Sequence, residues 1–290
     1  MTVSLKEKAQ IFADLHTQDG IFVMPNAWDE GSAKLLAAHG FPAIATTSGG
    51  VNWSRGREDY VYAVPAEEML EAYGRIADCV SIPVSGDLEN GYGSEPETVA
   101  GTITSAARLG MVGGGIEDFT GDPANPLYEL DLAVERIRAA RAAADQAGFP
   151  FTLTARCEIF YFDVENKYAE AVKRANLYRE AGADCLFLPG GSEPETIRSL
   201  VNDIDAPLSV VSEWDGPQYT VTQLEDMGVR RISTGGSIAR ACFATLHSAA
   251  EKLASEGTFG YLGHVVTDPA MSAFFQEPVK DNLELGGDGA

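Results

Sequence analysis

Ser85-Gly86-Asp87-Leu88-Glu89-Asn90-Gly91-Tyr92-Gly93 follows an apolar run, Ile82-Pro83-Val84, that reads as a buried strand, and it closes on glycines that let the backbone turn tightly. Two acids therefore stand where a strand runs out. Residues two apart on a strand share a face, so Asp87 and Glu89 aim at one point, an arrangement that repels itself unless positive charge lies between them. A cation is the economical expectation. A second acidic pair, Glu117-Asp118, ends the next apolar run, Val112 to Ile116, and lies beside the first if the two strands are parallel neighbours. Three or four carboxylates with no His or Cys among them form a hard oxygen set suited to Mg²⁺ or Mn²⁺ rather than zinc.

Outward from this stretch the chain repeats one unit, an apolar strand with a polar end followed by a helix. The strands read as Ile21–Met24, Ala43–Ala45, Ile82–Asp87, Val112–Ile116, Phe151–Arg156, Cys185–Leu188, Leu208–Val211 and Arg231–Thr234. Ser4 and Glu7 have capping-box spacing and open a helix to Thr17, and helices stop at Gly40, Gly110, Gly148, Gly182 and Gly228 just ahead of a strand. Eight strands alternating with helices predict an α/β fold, a closed (β/α)8 TIM barrel. The competing open doubly wound sheet announces itself with a Gly-rich phosphate turn after its first strand, and Pro25-Asn26-Ala27-Trp28-Asp29 is not one. A barrel assembles its site from strand C-termini, which here supply Asn26, Asp29, Ser48, Asp87, Glu89, Glu117, Arg156, Glu213 and Thr234. The expected division is a barrel domain over residues 1–262 and, over 263–290, a C-terminal helical extension with a helix from Asp268 to Phe275 and a disordered tail, Gly286 to Ala290.

The 290-residue chain carries 43 acidic and 21 basic residues, a formal charge of −22, which repels nucleic acid and anionic membrane surfaces. An anionic substrate then needs local positive charge, from a metal or an arginine. The four cysteines, Cys79, Cys157, Cys185 and Cys242, form no CxxC or Cys/His cluster and read as reduced thiols. The first 20 residues mix charge with apolar positions at helical spacing, so neither a signal peptide nor a membrane span is expected, and the protein reads as cytoplasmic. None of His16, His39, His247 and His264 falls at a strand end. Single acids after strands are more often helix caps than ligands. Arg156 could equally be a structural ion pair to Glu89 or Glu117.

Taken together, Pro25-Asn26-Ala27-Trp28-Asp29, Thr46-Thr47-Ser48-Gly49, Asp87-Leu88-Glu89-Asn90-Gly91-Tyr92-Gly93, Ile116-Glu117-Asp118 and Ala155-Arg156 resemble, in order and spacing, the motifs of the isocitrate lyase and phosphoenolpyruvate mutase superfamily. The resemblance implies a TIM barrel, a homotetramer (dimer of dimers) that exchanges the eighth helix between subunits, and Mg²⁺-dependent chemistry on a small 2-oxo acid or dicarboxylate. By the same resemblance Asp87 is the direct metal ligand, and Glu89 and Glu117 reach the metal, often through water. Ser48, Gly49 and Gly50 bind the substrate carboxylate, and Arg156 binds its oxygens, with Glu213 and Thr234 as further substrate contacts. Asp59 falls where relatives place an acid on a mobile loop. The lyases of isocitrate and methylisocitrate carry a Cys- and His-containing loop after the fourth strand. Here that loop reads Phe119-Thr120-Gly121-Asp122-Pro123-Ala124-Asn125-Pro126, with neither, and without the lysine of the P–C enzymes. The implied activity is a Mg²⁺-dependent C–C lyase working through an enolpyruvate-like state, oxaloacetate decarboxylation leading. A P–C bond enzyme and a non-catalytic metabolite-binding barrel are the alternatives. Tyr92, Tyr60, Asp59 or a water on the metal could protonate the enolpyruvate.

Overall fold

A computed structural model of the chain describes residues 3–60, 62–211 and 216–278. Glu213, Trp214 and the glycine-rich tail lie outside the described residues.

The strands are β1 (Phe22–Met24), β2 (Asn26–Ala27), β3 (Ile44–Thr46), β4 (Val84–Asp87), β5 (Gly113–Glu117), β6 (Thr152–Arg156), β7 (Cys185–Phe187), β8 (Leu208–Val211) and β9 (Arg231–Ser233). They form one nine-stranded sheet in the order β1-β9-β8-β7-β6-β5-β4-β3-β2, with every pairing parallel. The ends of this order, β1 and β2, are separated along the chain only by Pro25, so the sheet is a nearly closed barrel of TIM-barrel type. The ninth strand, β2, lies in the segment after Met24 that was expected to be the polar end of the first strand. Pro25 has no N–H to donate, and the chain changes partner there, from β9 before it to β3 after it.

Helices fill the intervals between strands, and the expected caps are present. Ser4 and Glu7 make the reciprocal capping box. The glycines that end the helices before β3, β5, β7 and β9 all have positive φ, as far as 111° at Gly182, where an L side chain would be strained. The helix Leu5–Thr17 packs across the barrel end where the strands begin. Its fully buried Phe12 joins Phe22, Met24, Ala43 and Val112 in one cluster. Phe12 fits there because Gly113 has no side chain; a Cβ at that position would lie 2.6 Å from the Phe12 ring. One element differs from expectation at the opposite end. The polar residues after β3 form a helix, Ser48–Ser54, with Thr47 as its cap.

Among the described residues, no helix is long and apolar enough to cross a membrane.

Candidate active site

The strand C-termini surround a cavity of about 600 Å³. β4 brings Asp87 to it. The Asp87 N–H donates to Thr46 Oγ1, and its Oδ2 accepts from both the N–H and the Oγ–H of Ser48, each at 2.9 Å. Ser48 thus spends its donors on holding this carboxylate. β5 and β6 run in register with Glu117 beside Arg156. The Arg156 Nη1 lies 3.4 Å from Glu117 Oε2 and 3.9 Å from Asp87 Oδ1, and its Nε contacts Glu158 Oε1. In this structure the positive charge between Asp87 and Glu117 is therefore a guanidinium.

Burial sets the protonation of this group. It pushes the Glu117 carboxyl well above the usual range, against the pull of Arg156, and raises Glu158 as well. For Arg156 burial opposes the charge, but Glu158, Glu117 and Asp87 outweigh it and hold the guanidinium ionised. Glu89, also buried, is pushed up to about 8 by burial and then by Asp87 and Asp59. Its Oε2 has no hydrogen-bond partner among the described residues, and its backbone sits at φ 50°, in the left-handed region that costs a non-glycine residue on the order of 1 kcal/mol or more. The turn after it is clamped from the helix Leu130–Ala144. Arg136 donates to the carbonyls of Asn90, Gly93 and Ser94, the last at 2.7 Å, and stacks on Tyr128.

Asp59 arrives on the loop after the helix Ser48–Ser54. It accepts from Asn52 Nδ2 at 3.1 Å, and its carboxyl is raised by burial and by Asp87. Gly49 permits this approach, since a Cβ there would meet Asp59 Oδ2 at 2.7 Å. Thr234 lines the cavity beside Asn26, which stitches the last strand to the first. The Asn26 Oδ1 accepts from the N–H groups of Thr234 and Gly235 at 3.0 Å, and its Nδ2 donates to Thr46 O at 2.7 Å.

The structure thus gathers Ser48, Gly49, Asp59, Asp87, Glu89, Glu117, Arg156 and Thr234 around one cavity. It does not bring Gly50 or Tyr92 to the lining. The Gly50 N–H caps its own helix on Thr47, with Trp28 packed against the glycine, and Tyr92 is partly buried, packed against the core beside Tyr73. Asp29 is a helix cap, accepting from Ser32 N–H at 2.7 Å. Asp118 faces away from Glu117, as strand alternation requires, and accepts from Tyr178 Oη at 2.6 Å and Arg174 Nη1 at 3.2 Å. Glu158 was not foreseen, although it stands two residues beyond Arg156 as Glu89 stands two beyond Asp87. Tyr62, whose Oη donates to Phe119 O at 3.3 Å, was also missed.

Among the described residues no three acidic, His or Cys side chains lie close enough to hold an ion as direct ligands. The donor chemistry still fits Mg²⁺ or Mn²⁺. The acids offer only oxygen, the Glu89 Oε2 is buried and unpaired, and Mg²⁺ keeps several waters and takes one or two carboxylates.

A family model described as phosphoenolpyruvate phosphomutase matches residues 12–254. The chain belongs to this family. With it comes membership of the isocitrate lyase and PEP mutase superfamily, whose members carry out C–C lyase and P–C mutase chemistry on small oxo acids and dicarboxylates and typically use a divalent metal. A solved structure described as a putative lyase/mutase from Burkholderia cenocepacia J2315 is 40% identical, with a TM-score of 0.90 over 95% of this chain and 98% of that one. An uncharacterized protein of Mycobacterium tuberculosis strain H37Rv is 33% identical over 82% of this chain and 87% of its own length. The 2-methylisocitrate lyase of Escherichia coli K12 is 28% identical over 88% of both.

Proposed function

We propose that the chain is a Mg²⁺- or Mn²⁺-dependent lyase that cleaves a C–C bond of a 2-oxo acid or substituted dicarboxylate, with decarboxylation of oxaloacetate as the leading case. One observation carries this reading. Asp87, Glu117 and Arg156 converge within 3.4 to 3.9 Å at the cavity, beside the unpaired oxygen of Glu89. We assign the metal to Asp87, with Glu89 and Glu117 holding it through water. When bound, it supplies Lewis acidity to the 2-oxo group.

The residues of the chain do the rest. Gly49, in the first turn of the helix Ser48–Ser54, orients the pyruvoyl carboxylate while Ser48 holds Asp87 in place, and Arg156 faces the substrate oxygens and offsets their charge among the acids. The bond to the departing carboxylate breaks, its electron pair moves toward the 2-oxo oxygen, and CO₂ and the enolate of pyruvate form. Asp59, whose carboxyl is raised above the usual carboxylate range by burial and by its neighbour Asp87, is the group we assign to supply a proton to carbon 3 and give pyruvate.

The loop after β5 carries neither the Cys and His of the isocitrate-type lyases nor the lysine of the P–C enzymes. Its Asn125 is exposed and donates to Asp122 Oδ2 at 3.1 Å, within the loop itself. The test is release of pyruvate and CO₂ from oxaloacetate with Mg²⁺ and after EDTA, alongside phosphonopyruvate. Turnover of phosphonopyruvate alone would transfer the reading to the P–C alternative, and binding without turnover to a metabolite-binding barrel.

The reading includes a homotetramer and a cytoplasmic setting. The helix Ser237–Glu256 supports the first, because only Ala239 on it is buried while Phe243, Leu246 and Leu253 are exposed, as suits a helix exchanged between subunits. Sedimentation velocity checks the mass.

A further inference from the structure

The cavity has two chemically different halves. Asn26, Ser48, Asp87 and Thr234, from β2, β4 and the segments after β3 and β9, line one with oxygen and nitrogen. The loops that follow β5 and β6, the end of β7 and the segment after the helix Ser48–Ser54 line the other with rings: Tyr60, Phe119, Tyr161, Phe162 and Phe187. Phe119 and Phe162 stack at 5.6 Å with 16° between their planes, which makes a flat wall. Phe187 borders the polar half, its ring centroid 5.2 Å from Arg156 Cζ. Tyr60 and Tyr161 are 58% and 49% exposed, a large apolar area for a chain to leave open at a cavity unless something covers it.

Size points the same way. A four-carbon diacid occupies on the order of four water volumes, about 120 Å³. A cavity of about 600 Å³ lies in the range of sites that enclose much larger ligands. Resting on the proposed reading that the polar half takes a 2-oxo acid, we infer that the substrate carries an aromatic or branched alkyl group on carbon 3, seated against the Phe119–Phe162 wall. Oxaloacetate is then the unsubstituted member of the class, and a substituent too bulky for a small-acid site is selected for.

The test is calorimetric titration in Mg²⁺ with acids that do not turn over: oxalate, pyruvate, 2-oxobutanoate, 4-methyl-2-oxopentanoate and phenylpyruvate. Affinity is expected to rise roughly three- to fourfold per buried methylene, with phenylpyruvate at least about tenfold tighter than pyruvate. The ratio of phenylpyruvate to pyruvate affinity is expected to fall toward one in Phe162→Ala and in Tyr161→Ala. Tyr161 is half exposed, so its truncation does not bear on the core. Oxalate binding with phenylpyruvate no tighter than pyruvate overturns the aromatic subsite and leaves the 2-oxo acid reading standing. If neither oxalate nor pyruvate binds, that reading fails and the inference falls with it.

Discussion

His16 lies at the closed end of the barrel, and its protonation provides a test of how the floor is built. It is 3% exposed, donates from Nδ1 to Phe12 O at 2.8 Å, and through Nε2 meets Arg231 Nη1 at 3.1 Å. Arg231 is also buried, and its bonds from Nε to Ser209 and from Nη1 to Thr154 involve hydroxyls rather than carboxylates. A guanidinium can only donate, so His16 must be neutral to accept from it. Burial, then Arg231, with a smaller contribution from Arg230, pulls its pKa from the ordinary 6.5 down to about 3. The folded value lies below the unfolded one, so between them the unfolded chain binds the extra proton. Stability is therefore whole above about pH 6.5 and falls as pH drops through that window. At 1.36 kcal/mol per unit, the loss from this residue is about 2 kcal/mol at pH 5 and approaches about 5 kcal/mol at pH 3. His16→Gln cannot titrate, and its amide oxygen can still accept from Arg231. Urea unfolding of both proteins at one fixed concentration, from pH 8 down to pH 4.5, is expected to show the wild type losing stability relative to the variant only below about pH 6.5. In histidine-labelled protein, the His16 ring resonance is expected to stay unshifted to about pH 5. Parallel stability profiles, or a His16 that titrates near its ordinary pKa, would refute the account of a neutral acceptor beneath Arg231.

Three further outcomes are expected at the site and its supports. Asp87→Asn removes the proposed metal ligand and is expected to lower turnover of oxaloacetate at least about a hundredfold and to weaken Mn²⁺ binding, read by steady-state kinetics and by titration of the Mn²⁺ spin signal. Arg156→Met leaves Glu117 and Glu158 buried without their cation, so a loss of about 3 to 5 kcal/mol is expected by chemical denaturation, along with activity. Gly86→Ala is expected to cost about 1 to 3 kcal/mol, because its Cβ would meet Leu88 Cδ2 and Met111 Sδ at 2.8 Å. Gly115→Ala, whose Cβ meets nothing nearer than 4.0 Å, is expected to cost less than about 0.5 kcal/mol, and paired thermal melts compare the two.

The βα repeat was open to reading because its signals are local. An apolar run, a glycine with positive φ and a capping pair each depend on a few neighbouring residues, so Leu5–Thr17 and Leu208–Val211 could be bounded from sequence alone. Placing Asp87, Glu117 and Arg156 together followed from the same repeat, since parallel strands put their ends at one mouth. The rest depended on distances between strands that sequence does not contain. Which positive charge stands between Asp87 and Glu117 was decided by the register of β5 against β6, which sets Arg156 beside Glu117 with Nη1 also 3.9 Å from Asp87. The aromatic half of the cavity arises where loops far apart in the chain close on one another, so that Phe119 stacks on Phe162. Local chemistry settled which residues end each strand and which face they take. The packing of the whole barrel settled how near they come and what charge they share, because only it fixes the separations on which electrostatics and stacking depend.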